Sequence, residues 1–144
     1  MKKIMTLLLM AALALPQLAN AEEAPEQTIK KTRSEVFLFE KDKQWEPAGE
    51  GVVRQIMGYD GQSMLVKVKF KKGAVGTPHS HYHTQNTFVA SGKFEFTVNG
   101  VKKVVSAGDG IYIEPDVVHG CKCLEAGILI DCFTPMRADF LKNF

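Results

Sequence analysis

The 144-residue chain has few of the features that mark specialised protein classes. It has one tryptophan and three cysteines, so at most one disulfide can form within it. It contains no internal repeat and no low-complexity segment, which excludes a solenoid or a repeat array. No long stretch has the apolar period of a helix, which excludes a helical bundle. The length suits one globular domain.

The chain also lacks a strong charge of either sign. It has 18 basic and 16 acidic residues, and the signal peptide predicted below removes two of the lysines and no acid. The remaining chain then has no net charge. This balance gives no reason to expect binding to nucleic acid or to an anionic membrane surface.

The start of the chain has the pattern of a secretory signal peptide over residues 1–21. A basic start precedes an apolar run over 5–15, which is followed by the small residues Ala19-Asn20-Ala21. The run is too short for a comfortable membrane span, and no lipoprotein cysteine follows it. We therefore expect cleavage after residue 21, a periplasmic or secreted protein, and no stable membrane insertion afterwards. Residues 22–35 are charged and have no periodicity, so we expect them to form a mobile leader. We expect residues 36–144 to form a single domain.

Most of the remaining chain has the pattern of short β-strands. Residues 64–70 alternate between an apolar face and lysines, which predicts a strand with one dry face. Asn99-Gly100 is the strongest hairpin signal in the chain. The other predicted strands are 36–39, 52–57, about 79–90, 94–98, 101–105, 111–113 and 128–133, with turns at 58–61, 91–92, 107–110 and 126–127. A short helix is predicted over 137–142. Strands at this spacing predict an all-β sandwich or small barrel.

All four histidines lie in the middle of the chain, three of them in the run His79-Ser80-His81-Tyr82-His83-Thr84-Gln85. In an extended strand, side chains two residues apart point to one face, so this run would present three imidazoles and an amide together. Leaving such groups buried without partners costs about 1–3 kcal/mol each. In a β-barrel, His79, His81 and Gln85 can meet His119, and three imidazoles with one oxygen suit a divalent metal ion: Zn, Ni, Fe, Mn or Co.

Gln85 and His83 need separate interpretation. Three neutral imidazoles and the amide oxygen of Gln85 leave a divalent site with its full formal charge of +2, which favours Lewis-acid chemistry on an anionic substrate. His83 has the parity of a ligand but lies between two better-placed ones. It is either a cavity residue that contacts the substrate or a spare ligand.

The three cysteines leave several interpretations open. In an oxidising compartment, one disulfide and one free thiol are possible among Cys121, Cys123 and Cys132. Cys121 and Cys123 share strand parity and follow His119, so an inward thiol near the site is a second possibility. The third interpretation is that they are small, buried apolar residues.

These residues resemble the two motifs of the cupins. The first motif is matched by Gly73, His79, His81, Gln85 and Gly92, and the second by Gly108, Pro115 and His119. In the first motif, Gln85 replaces the usual glutamate. In the second, Glu114 occupies the usual position of the proline, which is one residue later at Pro115. Asp116 and Cys123 occupy positions where glycine and asparagine are common. The resemblance implies a small single-domain cupin, which is a double-stranded β-helix or jelly-roll barrel.

A closer resemblance is to the KdgF-type cupins of pectin and alginate degradation, and it covers nearly the whole domain from about Trp45 to Leu141. It is carried by the segments 64–66, 73–76, 79–81, 91–97 and 131–137, together with Gln85. The resemblance implies conversion of unsaturated uronate monosaccharides to linear keto-uronates. It also implies metal ligands at His79, His81, Gln85 and His119, and an active-site group of Asp131, Phe133 and Arg137.

The chemistry of those last three residues agrees with this implication. Asp131 lies in an apolar run, where a carboxylate is costly without a role, and it suits proton transfer between enol and ketone. Arg137 suits bidentate binding of a uronate carboxylate, and Phe133 suits stacking on a sugar ring. The alternatives are a capping or surface aspartate, a surface arginine and a core phenylalanine.

Other functions fit the same pattern. The chain could be another cupin metalloenzyme, such as a sugar isomerase or a dioxygenase, or a periplasmic cupin that binds a small ligand or metal without turnover. A homodimer is expected, because exposed strand edges pair readily, and Val36–Phe39 is the candidate swapped edge.

Overall fold

The computed structural model describes residues 33–141, and these residues form eight strands and two short 3-10 helices. The strands are β1 Glu46–Gly49, β2 Val52–Tyr59, β3 Met64–Phe70, β4 Val75–His79, β5 Thr84–Val98, β6 Val101–Ser106, β7 Gly110–Ile113 and β8 His119–Thr134. The 3-10 helices are Glu40–Asp42 and Ala138–Leu141. The predicted signal peptide and most of the predicted leader lie outside the described residues. Within the described part, no helix is long and apolar enough to cross a membrane.

The two longest strands, β5 and β8, organise the fold because each has different neighbours in its two halves, so that one continuous eight-stranded sheet forms two layers, called the two sheets below. The first half of β5 and the second half of β8 pair with each other and lie beside β7 and β3, with β2 and β1 beyond β3. The other halves pair with each other and lie between β6 and β4. All pairings are antiparallel. This is the all-β jelly-roll that the sequence predicted.

Two glycines allow the long strands to cross between the sheets. The pairing of β5 with β8 shifts register around Ser91, and Gly92 has φ +84°. A Cβ atom on Gly92 would lie 2.6 Å from the Cα of Gly127 and 2.6 Å from the carbonyl oxygen of Glu125. The turns predicted at 91–92 and 126–127 are therefore wrong: both glycines lie inside continuous strands, at an irregularity that bends them.

The core lies between the two sheets and follows the apolar alternation of the strands. In β3, Met64 and Val66 are fully buried, and Phe70 is 5 % exposed and packs edge-on against Phe94 at 5.4 Å between ring centroids. The predicted Asn99-Gly100 hairpin is confirmed, with both residues at positive φ. One group of core residues (Val52, Phe70, Val89, Phe94, Phe96, Cys123, Leu129) fills one part, and another (Ile56, Met64, Val66, Phe133, Leu141) fills the rest.

The chain before β1 covers the outside of β2. Gln55 is fully buried there, and its amide donates at 3.0 Å to the carbonyl oxygens of Glu40 and Lys43. Ser34 exchanges hydrogen bonds with the backbone of Tyr59. The edge strand predicted at 36–39 is wrong, because these residues lie in no strand and side chains such as Val36 are exposed. The prediction rested on the apolar side chains of residues 36–39, but none of the described strands pairs with these residues.

Candidate metal and active site

Three histidines converge at one end of the barrel, although not for the reason that the sequence suggested. The predicted strand over 79–90 is interrupted: β4 ends at His79, residues 80–83 form a loop, and β5 begins at Thr84. The ligand atoms of His79, His81 and His119 lie within 4.8 Å of one another. His79 and His119 are paired across β4 and β8, and the loop brings His81 to them. The prediction that 79, 81 and 83 share one face of a strand is therefore wrong, but the convergence of His79, His81 and His119 is confirmed.

The second cupin motif holds the histidine loop in place. The backbone N–H of Asp116 donates to the carbonyl oxygen of His81 at 2.8 Å. Asp116 has φ +63°, the left-handed conformation that favours glycine and that aspartate tolerates. This explains how an aspartate can occupy the position where the motif has a glycine.

Backbone carbonyls set the tautomer of each converging imidazole. Nδ1 of His79 lies 2.8 Å from the carbonyl oxygen of Thr77, and Nδ1 of His119 lies 2.8 Å from that of Val117. Nδ1 of His81 lies 3.2 Å from the carbonyl oxygen of His83. A carbonyl only accepts, so each Nδ1 carries the proton and each Nε2 presents a lone pair. Burial lowers the pKa of both His81 and His119, which favours the neutral form that binds metals.

The amide of Gln85 adds an oxygen to this group. Its Oε1 lies 3.0 Å from Nε2 of His81 and 3.2 Å from Nε2 of His119. Its nitrogen donates to Thr87 Oγ1 at 2.9 Å and to Asp131 Oδ1 at 3.4 Å, which orients the oxygen toward the imidazoles. Nε2 lone pairs and an amide oxygen thus meet with no proton between them. Such a set of acceptors fits a cation, with backbone carbonyls as outer partners of the histidines.

His83 is not part of this cluster. It is 3 % exposed, its ring stacks on Tyr82 at 3.9 Å between centroids, and neither ring nitrogen makes a hydrogen bond of standard geometry within residues 33–141. Burial, and after it the charge of Arg137, lower the pKa of His83. Its backbone carbonyl still serves the site, because it accepts from Nδ1 of His81.

Asp131 lies in the same cavity as the histidine cluster. It is 9 % exposed, and its Oδ1 accepts from the hydroxyl of Thr87 at 2.5 Å and from the amide of Gln85. Burial raises the pKa of Asp131 to about 6, against the opposing effects of Thr87, Gln85 and the charge of Arg137. The interpretation of Asp131 as a surface or capping residue is therefore wrong. Thr87, which the sequence analysis did not single out, has no local signal beyond its inward parity on β5.

A cavity of about 330 Å³ between the sheets joins these groups. Its polar lining comprises His79, His119, Gln85, Asp131, Arg54, Arg137, Thr77 and Cys121. Phe133 and Phe140 provide aromatic walls, and Phe133 also packs against the ring of His81 at 5.6 Å between centroids. Phe133 is 4 % exposed and belongs to the core as well, so both of its predicted roles are compatible with its position.

Arg137 is held at the cavity by an acid and two rings. Its Nε and Nη2 donate to the two carboxylate oxygens of Asp139 at 2.9 and 2.8 Å, and its guanidinium carbon lies 4.3 Å from the centroid of Phe140 and 5.4 Å from that of Phe133. Its side chain is 14 % exposed, which rules out a free surface arginine. The 3-10 helix that follows it confirms the position, although not the full length, of the predicted terminal helix.

The thiols are free and mostly buried. Cys123 lies in the core, Cys121 lines the cavity, and Cys132 is partly buried on the outer face of β8. Burial raises the pKa of Cys121 to about 12, so this thiol stays protonated. The structure therefore supports a buried apolar role for Cys123 and an inward thiol near the site for Cys121.

Comparison with known proteins agrees with the fold. Residues 66–130 match the cupin domain model. The jelly-roll and its converging histidines define this protein as a cupin. Over 107 residues, which are 73 % of this chain and 97 % of the relative, the sequence is 41 % identical to the pectin degradation protein KdgF of Dickeya dadantii strain 3937. The chain belongs to the KdgF family of cupins.

Two solved structures support this assignment. An RmlC-like cupin from Shewanella frigidimarina NCIMB 400 is 44 % identical and superposes with a TM-score of 0.74, over 76 % of this chain and 99 % of the other. KdgF from a Halomonas species is 35 % identical with a TM-score of 0.71, over 74 % and 99 %.

Proposed function

We propose that this protein is a metal-dependent enzyme that converts 4,5-unsaturated uronate monosaccharides to linear keto-uronates during pectin or alginate breakdown. The observation that carries the proposal is that Asp131 lies in one cavity with the cluster of His79, His119 and Gln85. The family supports the substrate class, since the Dickeya relative is a pectin degradation protein. His79, His81, His119 and Gln85 would hold one divalent ion, which supplies Lewis-acid stabilisation of negative charge on a substrate oxygen.

The reaction is an isomerisation and needs no oxidant or reductant. The hydroxyl on the hemiacetal carbon loses its proton, the bond from that carbon to the ring oxygen breaks, and the ring oxygen becomes an enol oxygen. The former ring alkene then gains a proton at its other carbon, which leaves a ketone. Asp131 has the position for this proton transfer because it is buried at the cavity and held by Thr87 and Gln85.

The other cavity residues bind and orient the sugar. Arg137 has N–H groups that Asp139 does not occupy, and these can bind the uronate carboxylate. Phe133 forms an apolar wall beside the histidines, on which a sugar ring can stack.

The test is an absorbance assay on the purified mature protein. The conjugated alkene of the unsaturated uronate absorbs in the ultraviolet, and we expect this absorbance to fall faster in the presence of protein. Treatment with chelator should abolish the acceleration, and a divalent ion should restore it. An unchanged decay with uronates from both pectin and alginate would refute the enzymatic proposal and favour a binding cupin.

We also propose export and a homodimer. The N-terminal pattern supports cleavage after Ala21, and mass spectrometry of the protein recovered from the periplasm should show a chain that begins at Glu22. An apolar surface supports the dimer: Leu65 on β3, Phe88 on β5 and Tyr112 on β7 are 42, 50 and 60 % exposed and line one outer groove of the sheet. This patch carries no charged side chain, so two copies can meet there without repulsion.

A further inference from the structure

Arg54 is a second arginine of the cavity that sequence reasoning did not single out. It lies on β2, and it lines the same cavity as Arg137, Asp131 and His119. Its Nε donates to Glu46 Oε2 at 3.2 Å, and its guanidinium carbon lies 3.8 Å from the centroid of the Phe140 ring. An arginine fixed in this way loses little conformational entropy when it binds a ligand.

The setting of Arg54 repeats that of Arg137. Each guanidinium is paired with one carboxylate, Glu46 or Asp139, and each lies against the ring of Phe140. Neither carboxylate lines the cavity, whereas both arginines do. The acids therefore hold the two cations in place without occupying the space that a ligand would fill.

Both arginines keep hydrogen-bond donors for a ligand. A guanidinium has five N–H groups. Glu46 engages only the Nε of Arg54, and within residues 33–141 the terminal amino groups of Arg54 make no hydrogen bond. The Arg54 side chain is 20 % exposed and that of Arg137 is 14 % exposed, so protein covers most of each side chain. Free N–H donors on a partly buried guanidinium favour an anion over a neutral group.

We infer that Arg54 contacts the substrate and binds its carboxylate together with Arg137, with Phe140 as the positioning residue that both guanidiniums contact. Because both guanidinium carbons lie close to one ring, they are at most about 8 Å apart, a separation that one carboxylate can bridge by hydrogen bonds. The identity of the anion as a uronate rests on the proposed function. The prediction that follows is a preference for acid over ester that depends on Arg54.

The test measures binding, so that it does not depend on turnover. Galacturonate and its methyl ester are titrated calorimetrically into the metal-loaded parent protein and into Arg54→Met. The ester removes the charge from the ligand and leaves the protein unchanged, so the four affinities form a double-mutant cycle. We expect the parent protein to prefer the acid, and Arg54→Met to lose about tenfold or more of that preference.

Two further variants serve as positive and negative controls for the loss of acid preference, and a third replaces Arg54→Met if that protein is poorly folded. Arg137→Met should show a similar loss of preference, and Lys103→Met, which removes an exposed cation on β6, should show none. Arg54→Lys keeps a cation but not the planar fork, so it serves if Arg54→Met is poorly folded, and it should lose at least about threefold.

The role of Arg54 would be overturned if Arg54→Met had the same ratio of acid affinity to ester affinity as the parent protein. If only Arg54→Lys folds, the same criterion applies to that variant. A parent protein with no preference for the acid would overturn the role too. An Arg54-dependent preference without any loss of alkene absorbance would instead sustain Arg54 and refute the proposed reaction.

Discussion

The amide nitrogen of Gln85 lies 3.4 Å from the carboxylate of Asp131, while the oxygen of the same amide lies 3.2 Å from Nε2 of His119. One side chain thus contacts both the histidine cluster and the candidate acid–base residue. A glutamate, common in cupins at this position, could not donate to Asp131 when ionised. The glutamine therefore allows the carboxylate of Asp131 to lie next to the ligand group.

Gln85→Glu should separate metal affinity from turnover. The added negative charge should tighten metal binding by about tenfold, because carboxylates are the stronger ligands for a divalent cation. The same charge would lie beside Asp131 and raise its pKa further, so turnover should fall. Metal affinity measured by competition with a chelator, and the absorbance assay, check the two parts. Weaker metal binding in this variant would contradict the assignment of Gln85 as a ligand.

Replacement of His81 should remove the metal, and replacement of His83 should not. We expect His81→Ala to lose roughly a hundredfold or more in metal affinity, since one of three imidazole donors is lost. His83→Phe keeps the ring that stacks on Tyr82 and removes two buried ring nitrogens that make no hydrogen bond of standard geometry, so metal content should match that of the parent. Elemental analysis after gel filtration measures both. A metal-free His83→Phe protein that is still folded would make His83 a ligand.

Asp131→Asn should abolish turnover and spare metal binding. Asparagine keeps the size of the side chain and an oxygen that can accept from Thr87, but an amide cannot act as a general acid or base as a carboxyl group does. We expect turnover to fall by about 10²–10⁴-fold. Asp60→Asn, in the turn between β2 and β3, is the matched control and should keep full activity. Normal turnover of Asp131→Asn would exclude the acid–base role.

Gly92→Ala should destabilise the fold far more than Gly100→Ala. Both glycines have positive φ, +84° and +77°, so each alanine costs about 1–2 kcal/mol in backbone conformation. At Gly100 a Cβ atom meets nothing within 4 Å, whereas at Gly92 it would lie 2.6 Å from the Cα of Gly127. The clash should add about 1–3 kcal/mol to the loss. Urea unfolding of both variants measures the difference, and equal losses would show that the two strands are not packed so closely.

Phe88→Asp should convert a dimer to a monomer. It puts a charge at the centre of the apolar patch formed with Leu65 and Tyr112, and two such charges would meet across a two-fold interface. Val104→Asp changes an equally exposed apolar residue on β6, outside the patch, and should leave the dimer intact. Sedimentation velocity gives the mass of each. A monomeric parent protein would contradict the proposed dimer.

Patterns that depend on near neighbours predicted the structure well. The apolar alternation of β3 gave its bounds, and Asn99-Gly100 gave the hairpin, because both depend on backbone geometry within a few residues. The same local logic failed at Gly92. A glycine after serine is typical of a turn, but the reason for this glycine is its contact with Gly127, 35 positions away in the chain.

The histidine cluster shows the limit of periodicity. Strand parity placed His83 with His79 and His81, yet the strand ends at His79 and the loop leaves His83 outside the cluster. Family motifs, which record the outcome of tertiary folding, identified the converging histidines and Gln85 where parity alone could not separate them from His83.

The sequence by itself determined the class of fold, the histidine, glutamine and aspartate side chains available for chemistry, and the family to which they belong. These follow from alternation, turn residues and motif spacing, which are properties of short segments. Only the tertiary structure decided which nitrogen of each histidine is free, that Thr87 and Gln85 hold Asp131, and that Arg54 from β2 meets Arg137 at Phe140. Those contacts join residues on different strands, and their geometry depends on how the two sheets pack.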